Sequence, residues 1–88
     1  MLEKTLTVSN RAGIHARPAA LLVQAIKDFT CAIYLEKDHN RIKGKSIMGV
    51  ITLGAAYGSR ITVITDGEDE VQAMEVIVQL FESKFEEE

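Results

Sequence analysis

Leu2-Glu3-Lys4-Thr5-Leu6-Thr7-Val8-Ser9 and, after a short loop, Ala16-Arg17-Pro18-Ala19-Ala20-Leu21-Leu22-Val23-Gln24-Ala25-Ile26 mark the place where the hydrophobic period of this chain changes. In the first stretch Leu2, Leu6 and Val8 alternate with Glu3, Thr5, Thr7 and Ser9, the pattern of a strand with one buried face. In the second, Ala19, Leu22, Val23, Ile26 and then Phe29 recur at intervals of three and four, which places one apolar stripe on a helix ending near Phe29-Thr30. Pro18 suits the first turn of that helix, where its missing N–H sacrifices no intrahelical bond. The helix is therefore expected to start just after His15, with Arg11-Ala12-Gly13-Ile14 as the loop that leads into it.

Beyond this strand and helix, Cys31, Ile33 and Leu35 alternate again, and Lys37-Asp38-His39-Asn40 reads as a hairpin turn returning through Arg41-Ile42-Lys43 to Gly44. Ser46 is a good N-cap for a short helix over Ile47-Met48-Gly49-Val50-Ile51-Thr52-Leu53, although Gly49 lowers its helix propensity by ~1 kcal/mol relative to Ala. Ile61 and Val63 belong to a fourth strand that Asp66-Gly67 ends. Glu68-Asp69-Glu70 then sit where the positive end of a last helix favours acids, with Val71, Met74, Val78, Phe81 and Phe85 as its inner stripe. The order β-α-β-β-α-β-α buries these stripes most economically as an open-faced α+β sandwich, a four-stranded, mainly antiparallel sheet with three helices on one face. Eighty-eight residues without a Pro/Gly/Ser-rich linker fit one domain over 1–88 and one core.

Composition narrows the functions. The net charge of −3 disfavours general nucleic-acid binding, which depends on clustered Lys and Arg. Charge is unevenly spread: Arg11, Arg17, Lys27, Arg41, Lys43 and Lys45 lie in the first half and acids crowd Asp66 to Glu88, so an acidic partner surface would dock on the first half. No apolar run approaches the ~20 residues of a membrane span, and the start of the chain has no basic-then-apolar leader, so a cytoplasmic protein without membrane insertion is expected. Cys31 lacks the neighbours of a zinc site and reads as a small buried apolar residue. His39 reads as a turn residue, and Tyr34 and Tyr57 as surface packing.

One residue stands apart chemically. A histidine at the junction of loop and helix meets the unpaired N–H groups and partial positive charge of the helix N-terminus, which favour an anion attached to its ring. Arg17 adds a guanidinium that grips two phosphate oxygens at once. Small Ala16, Ala19 and Ala20 leave the ring approachable by another protein. Taken alone, a histidine beside a helix start is more often a cap or surface residue than a nucleophile.

The full string Gly13-Ile14-His15-Ala16-Arg17-Pro18-Ala19-Ala20 resembles the active-site signature of the HPr family, the histidine-containing phosphocarriers of the phosphoenolpyruvate-dependent sugar phosphotransferase system. Lys45-Ser46-Ile47-Met48-Gly49-Val50 is similar to that family's regulatory serine segment, at the expected distance, so the resemblance covers essentially the whole chain. It implies that His15 takes a phosphoryl group on Nδ1 from phosphorylated enzyme I and passes it to IIA domains of sugar transporters, that Arg17 steadies the group, and that no metal or cofactor is needed. It also implies that Ser46 is phosphorylated by an ATP-dependent HPr kinase, with a transcriptional regulator as a further partner. Where many relatives carry a small polar residue before Gly13, this chain has Ala12, which removes a possible side-chain bond near the phosphoryl group. Ile47, Met48 and Ile51, with Ala20, Gln24 and Lys27 on the first helix, are the candidate partner-binding patch, Ile47 and Met48 being expected at the surface.

Three other readings remain open on the sequence. A regulatory relative acting in nitrogen-related or catabolite signalling fits Ser46, while His15 with Arg17 favours carrier activity. A pure interaction module would leave His15 incidental. A self-sufficient enzyme is disfavoured, because the chain has no paired-carboxylate site, metal cluster or Gly-rich nucleotide loop and little room for a deep pocket. A carrier visiting several partners is expected to be a monomer.

Overall fold

The computed structural model describes residues 1–87. The elements are β1 (Leu2–Thr7), α1 (Ala16–Ile26), β2 (Ala32–Lys37), β3 (Asn40–Lys43), α2 (Ile47–Thr52), β4 (Arg60–Asp66) and α3 (Glu70–Glu82), followed by a tight turn at Lys84–Glu86. The sheet order is β1-β4-β2-β3, and every neighbouring pair is antiparallel. This is the open-faced α+β sandwich expected from the sequence, with the strand order now fixed.

The core lies between sheet and helices. Ile33 and Leu35 of β2 and Ile61 and Val63 of β4 meet Ala19, Leu22 and Ile26 of α1 and Ala73, Met74, Ile77, Leu80 and Phe81 of α3 in one buried cluster. Full burial of each large aliphatic contributes about 1.5–3 kcal/mol. On the open face Thr5 and Thr62 approach at 3.3 Å, and the Arg41 guanidinium lies 5.5 Å from the centre of the half-buried Tyr34 ring. Ile64, on this same outer register, is nevertheless buried between cross-strand neighbours Glu3 and Tyr34.

Several local readings change. α1 stops at Ile26, because the Phe29 N–H bonds the Ile26 carbonyl at 3.1 Å and turns the chain out of the helix. β1 ends at Thr7, yet Val8 stays buried and still exchanges backbone bonds with Ser59 and Gly58, at 2.9 and 2.8 Å. The inner face of α3 is shifted from the expected stripe: Val71 is 51% exposed and Val78 only half-buried, while Ala73, Ile77 and Leu80 point inward. The helix packs against α1 as well as against β1 and β4, which turns its buried face toward Ala73 and Leu80. Phe85 is buried as expected, but outside the helix. Gly49 is explained by packing: a Cβ there would stand 3.3 Å from Ser46 Oγ and 3.4 Å from Ile42 Cβ, where α2 crosses β3. Asp38 and His39 occupy the hairpin turn with φ of +51° and +70°, Cys31 is buried and free, and Tyr57 projects into solvent.

The acids at the start of α3 do more than face its dipole. Asp69 makes no side-chain cap; its carboxylate accepts from the backbone N–H groups of Thr30 at 2.8 Å and Cys31 at 2.9 Å, tying α3 to the α1–β2 connection. Glu70 accepts from Gly67 N–H at 3.0 Å and from the Met1 amino group at 3.0 Å. The Thr30 N–H is the chief cause that lowers the Asp69 pKa, against opposing desolvation. Burial, followed by the Asp69 contact, raises that of the Cys31 thiol. A depressed carboxylate stabilises the fold fully above its unfolded value of about 4 and loses that contribution as pH falls through the lower folded value. Asp69→Asn, which sets an amide donor against backbone donors, is therefore expected to lower the thermal midpoint at neutral pH, with the gap to the parent closing below about pH 4. Melting curves of both proteins across pH check this; a gap independent of pH contradicts it.

Candidate functional site

The loop between β1 and α1 is built from inside outward. Asn10 is fully buried, and its Nδ2 donates to the Gly13 carbonyl at 2.7 Å and to Glu87 Oε1 at 3.0 Å. Gly13 N–H bonds the Asn10 carbonyl at 3.1 Å, and Ile14 N–H bonds the Ala55 carbonyl at 2.8 Å. Gly13 has φ of +75°, and a Cβ on it would fall 2.7 Å from the Ala55 carbonyl oxygen, so both conformation and space call for glycine. The buried Ile14 side chain anchors the next residue of the loop in the core.

His15 emerges from this anchor as the N-cap residue of α1, with extended backbone at φ −94° and ψ −161°. Its ring makes no cap bond, leaving the helix start uncovered, and its side chain is 46% exposed. The His15 carbonyl accepts from Ala19 N–H at 3.0 Å, which closes the first turn. The N–H groups of Ala16 and Arg17 have no hydrogen-bond partner among the described residues, and Pro18 has no N–H to offer. Arg17 is exposed and forms no ion pair among the described residues. An imidazole, two free backbone donors and a guanidinium thus share one helix end, the arrangement that holds an anion by dipole and hydrogen bonds. Nε2 of His15 lies 3.3 Å from Glu87 Oε2. Ala12 is exposed and brings only a methyl group to this loop.

Ser46 occupies the N-cap of α2 and accepts from Gly49 N–H at 3.1 Å. No hydrogen bond or ion pair among the described residues joins it to His15 or Arg17. Ile47 and Met48 are 40% and 63% exposed, as expected, whereas Ile51 is half-buried and packs on the core. Gln24 and Lys27 are exposed and Ala20 half-buried on α1, which packs against α2. Lys45 donates its ammonium to the Phe29 carbonyl.

Asn10 and Glu87 escape a reading by periodicity. Asn10 looks like an ordinary residue at a strand end, although an Asn three places before a Gly is a turn signal. Glu87 looks like part of a solvated acidic tail. Among the described residues there is no cluster of His, Cys, Asp and Glu fit for a metal ion and no helix long and apolar enough to cross a membrane.

Fold and loop together define a small α+β sandwich that presents a histidine at the N-terminus of its first helix. Residues 2–83 match the family model described as the PTS HPr component phosphorylation site, and the chain belongs to this HPr family of phosphocarrier proteins. It is 51% identical over 88 residues to the phosphocarrier protein HPr of Treponema pallidum, covering all of both chains. It is 45% identical over 84 residues to the HPr-like protein Crh of Halalkalibacterium halodurans, covering 96% of this chain and all of the relative. Among solved structures, HPr of Thermoanaerobacter tengcongensis superposes with a TM-score of 0.96 at 44% identity, covering 100% of this chain and 99% of the other. Proteins of this family work within the phosphotransferase system as carriers, not as catalysts.

The anchoring of the loop makes a direct prediction. Gly13→Ala places a methyl group against the Ala55 carbonyl and forces an L-residue into a left-handed conformation, which alone costs roughly 1–2 kcal/mol. The thermal midpoint is expected to fall by about 5 °C or more. An unchanged midpoint contradicts this account of the loop.

Proposed function

We propose that this chain, as one domain over residues 1–88, is a cytoplasmic, monomeric phosphocarrier whose acceptor is Nδ1 of His15. Phosphorylated enzyme I, charged by phosphoenolpyruvate, is the donor, and IIA domains of sugar transporters are the recipients. The single observation that carries this reading is the half-exposed imidazole at the start of α1, beside Ala16 and Arg17 N–H groups and an Arg17 guanidinium that have no partner among the described residues. The donors meet the phosphoryl oxygens, and the guanidinium balances their charge where the group is held and handed on. The phosphoramidate bond is reactive enough for a relay, and the partner supplies the rest of the stabilisation in the docked complex. The carrier itself needs no metal or cofactor.

Docking uses Ile47, Met48 and Ile51 of α2 with Ala20, Gln24 and Lys27 of α1. Ile47 and Met48 offer the exposed apolar part, Lys27 a positive edge, and Ile51 a half-buried floor. Met adapts to differently shaped partners, which suits a protein that visits several. Ser46, at the start of α2 next to Ile47, is the regulatory residue for an ATP-dependent HPr kinase. A transcriptional regulator is the further partner of the phosphoserine form. Its oxygen already accepts a backbone N–H, so an added phosphate is compatible with the helix.

The likeness to HPr-like Crh supports a second reading, a protein acting chiefly in catabolite signalling through Ser46. The labelling of His15 separates the two. Incubation with enzyme I and phosphoenolpyruvate is expected to place an acid-labile phosphoryl group on His15, with His15→Ala abolishing it and Arg17→Ala slowing transfer roughly tenfold to a hundredfold in a folded protein. Normal labelling of His15→Ala contradicts the assignment of the nucleophile, and unchanged kinetics in Arg17→Ala remove Arg17 from the site.

Ser46→Asp is expected to weaken docking to enzyme I roughly tenfold or more by setting charge beside the apolar patch facing an acidic partner. Its thermal midpoint stays level or rises, because an anion is favoured at a helix start. Melting and transfer rates measured on Ser46→Asp and Ser46→Ala check this. Unchanged affinity in a stable Ser46→Asp protein contradicts the switch.

A further inference from the structure

The C-terminal segment returns to the site, and it does so at a conformational cost. Lys84, Phe85 and Glu86 have φ of +56°, +53° and +61°, three consecutive non-glycine residues in the left-handed region, each disfavoured by roughly 1–2 kcal/mol. The buried Phe85 ring holds this turn, tilted at 59° against Phe81 with ring centres 5.0 Å apart. The turn delivers the Glu87 carboxylate, only 18% exposed, between two partners: Oε1 accepts from Asn10 Nδ2 at 3.0 Å and Oε2 faces His15 Nε2 at 3.3 Å. Asn10 is itself fixed by burial and by its bond to Gly13. The carboxylate is thereby aimed at one nitrogen of the ring.

We propose that Glu87 is a positioning residue for the transfer, keeping the proton of the neutral His15 ring on Nε2 so that Nδ1 presents its lone pair. The inference deepens the carrier reading above and rests on it. An ionised carboxylate only accepts hydrogen bonds, so an Nε2–H is favoured opposite it and a bare Nε2 lone pair is repelled. In the transfer, the Nδ1 lone pair forms the new N–P bond, and the donor's N–P bond breaks with its electron pair returning to the donor nitrogen. The proton on Nε2 stays in place. The ring then carries a positive charge, which the Glu87 carboxylate offsets. A ring with its proton on Nδ1 has no lone pair there to offer.

The test uses the full chain with 15N-labelled histidine and reads the two ring-nitrogen shifts of His15 at the high-pH plateau of their measured titration. The parent is expected to hold predominantly the Nε2–H form. Glu87→Leu lowers the ratio of Nε2–H to Nδ1–H roughly threefold to tenfold, the effect of removing a partly solvated charge-assisted bond. It slows the first phosphorylation by enzyme I and phosphoenolpyruvate in proportion to the fall in the Nε2–H fraction, a smaller factor than the change in the ratio. Glu87→Lys, which sets a donor against Nε2, shifts the ratio further toward Nδ1–H. A residue that merely packs the tail would make the Leu and Lys variants alike in this spectrum. Indistinguishable tautomer ratios in the three proteins, with the parent still labelled on His15, overturn this inference and leave the carrier reading standing. A parent that is not labelled on His15 overturns the carrier reading itself, and this inference with it.

Discussion

The bond from Ile14 N–H to the Ala55 carbonyl, with the buried Asn10 amide beside it, is the constraint on which the site depends. A helix start is an electrostatic resource only if the chain entering it is held in one place. Here the entering loop is pinned at successive residues: Val8 to the segment before β4, Asn10 to Gly13, and Ile14 to Ala55. The site is thus suspended between the end of β1 and the connection from α2 to β4, two places far apart in sequence. Damage to either is felt at the imidazole.

This anchoring reconciles two opposing demands. A carrier needs its nucleophile exposed, because another protein's phosphoryl donor has to reach it, yet exposure weakens every electrostatic contact by solvent screening. The fold answers with rigid donors: the N–H groups of Ala16 and Arg17 are fixed by the helix and need no reorganisation when an anion arrives. Exposed ion pairs elsewhere, such as Arg41 with Glu36 and Lys37 with Asp38, contribute little by comparison. The strained turn at Lys84–Glu86 belongs to the same economy, since burial of Phe85, worth about 1.5–3 kcal/mol, offsets much of its conformational cost.

Legibility in the sequence followed periodicity. Strand and helix types, the hairpin turn at Asp38-His39 and the N-cap at Ser46 were readable because each depends on neighbours in the chain. The same holds for His15 at the start of α1, where Pro18 marks the first turn. The buried face of α3 is not legible at Val71, because a stripe of three-and-four spacing can be drawn through several residues and packing against the neighbouring α1 decides which row turns inward. The tail was the least legible part. Phe85 continues the helical spacing by accident, and the contacts of Glu87 with Asn10 and His15 arise across nearly the whole length of the chain. No local pattern encodes such a contact.

On the proposed carrier function, the N-terminus of α1 receives the phosphoryl group while the rest of the fold stays as it is. The most direct test is the amide spectrum of the 15N-labelled protein before and after incubation with enzyme I and phosphoenolpyruvate. The account predicts that the Ala16 and Arg17 amide resonances, together with the His15 ring, shift most, and that amides of core residues such as Leu22, Ile61 and Ile77 hardly move. Phosphorylation that leaves Ala16 and Arg17 unshifted, or moves amides across the sheet instead, would contradict it.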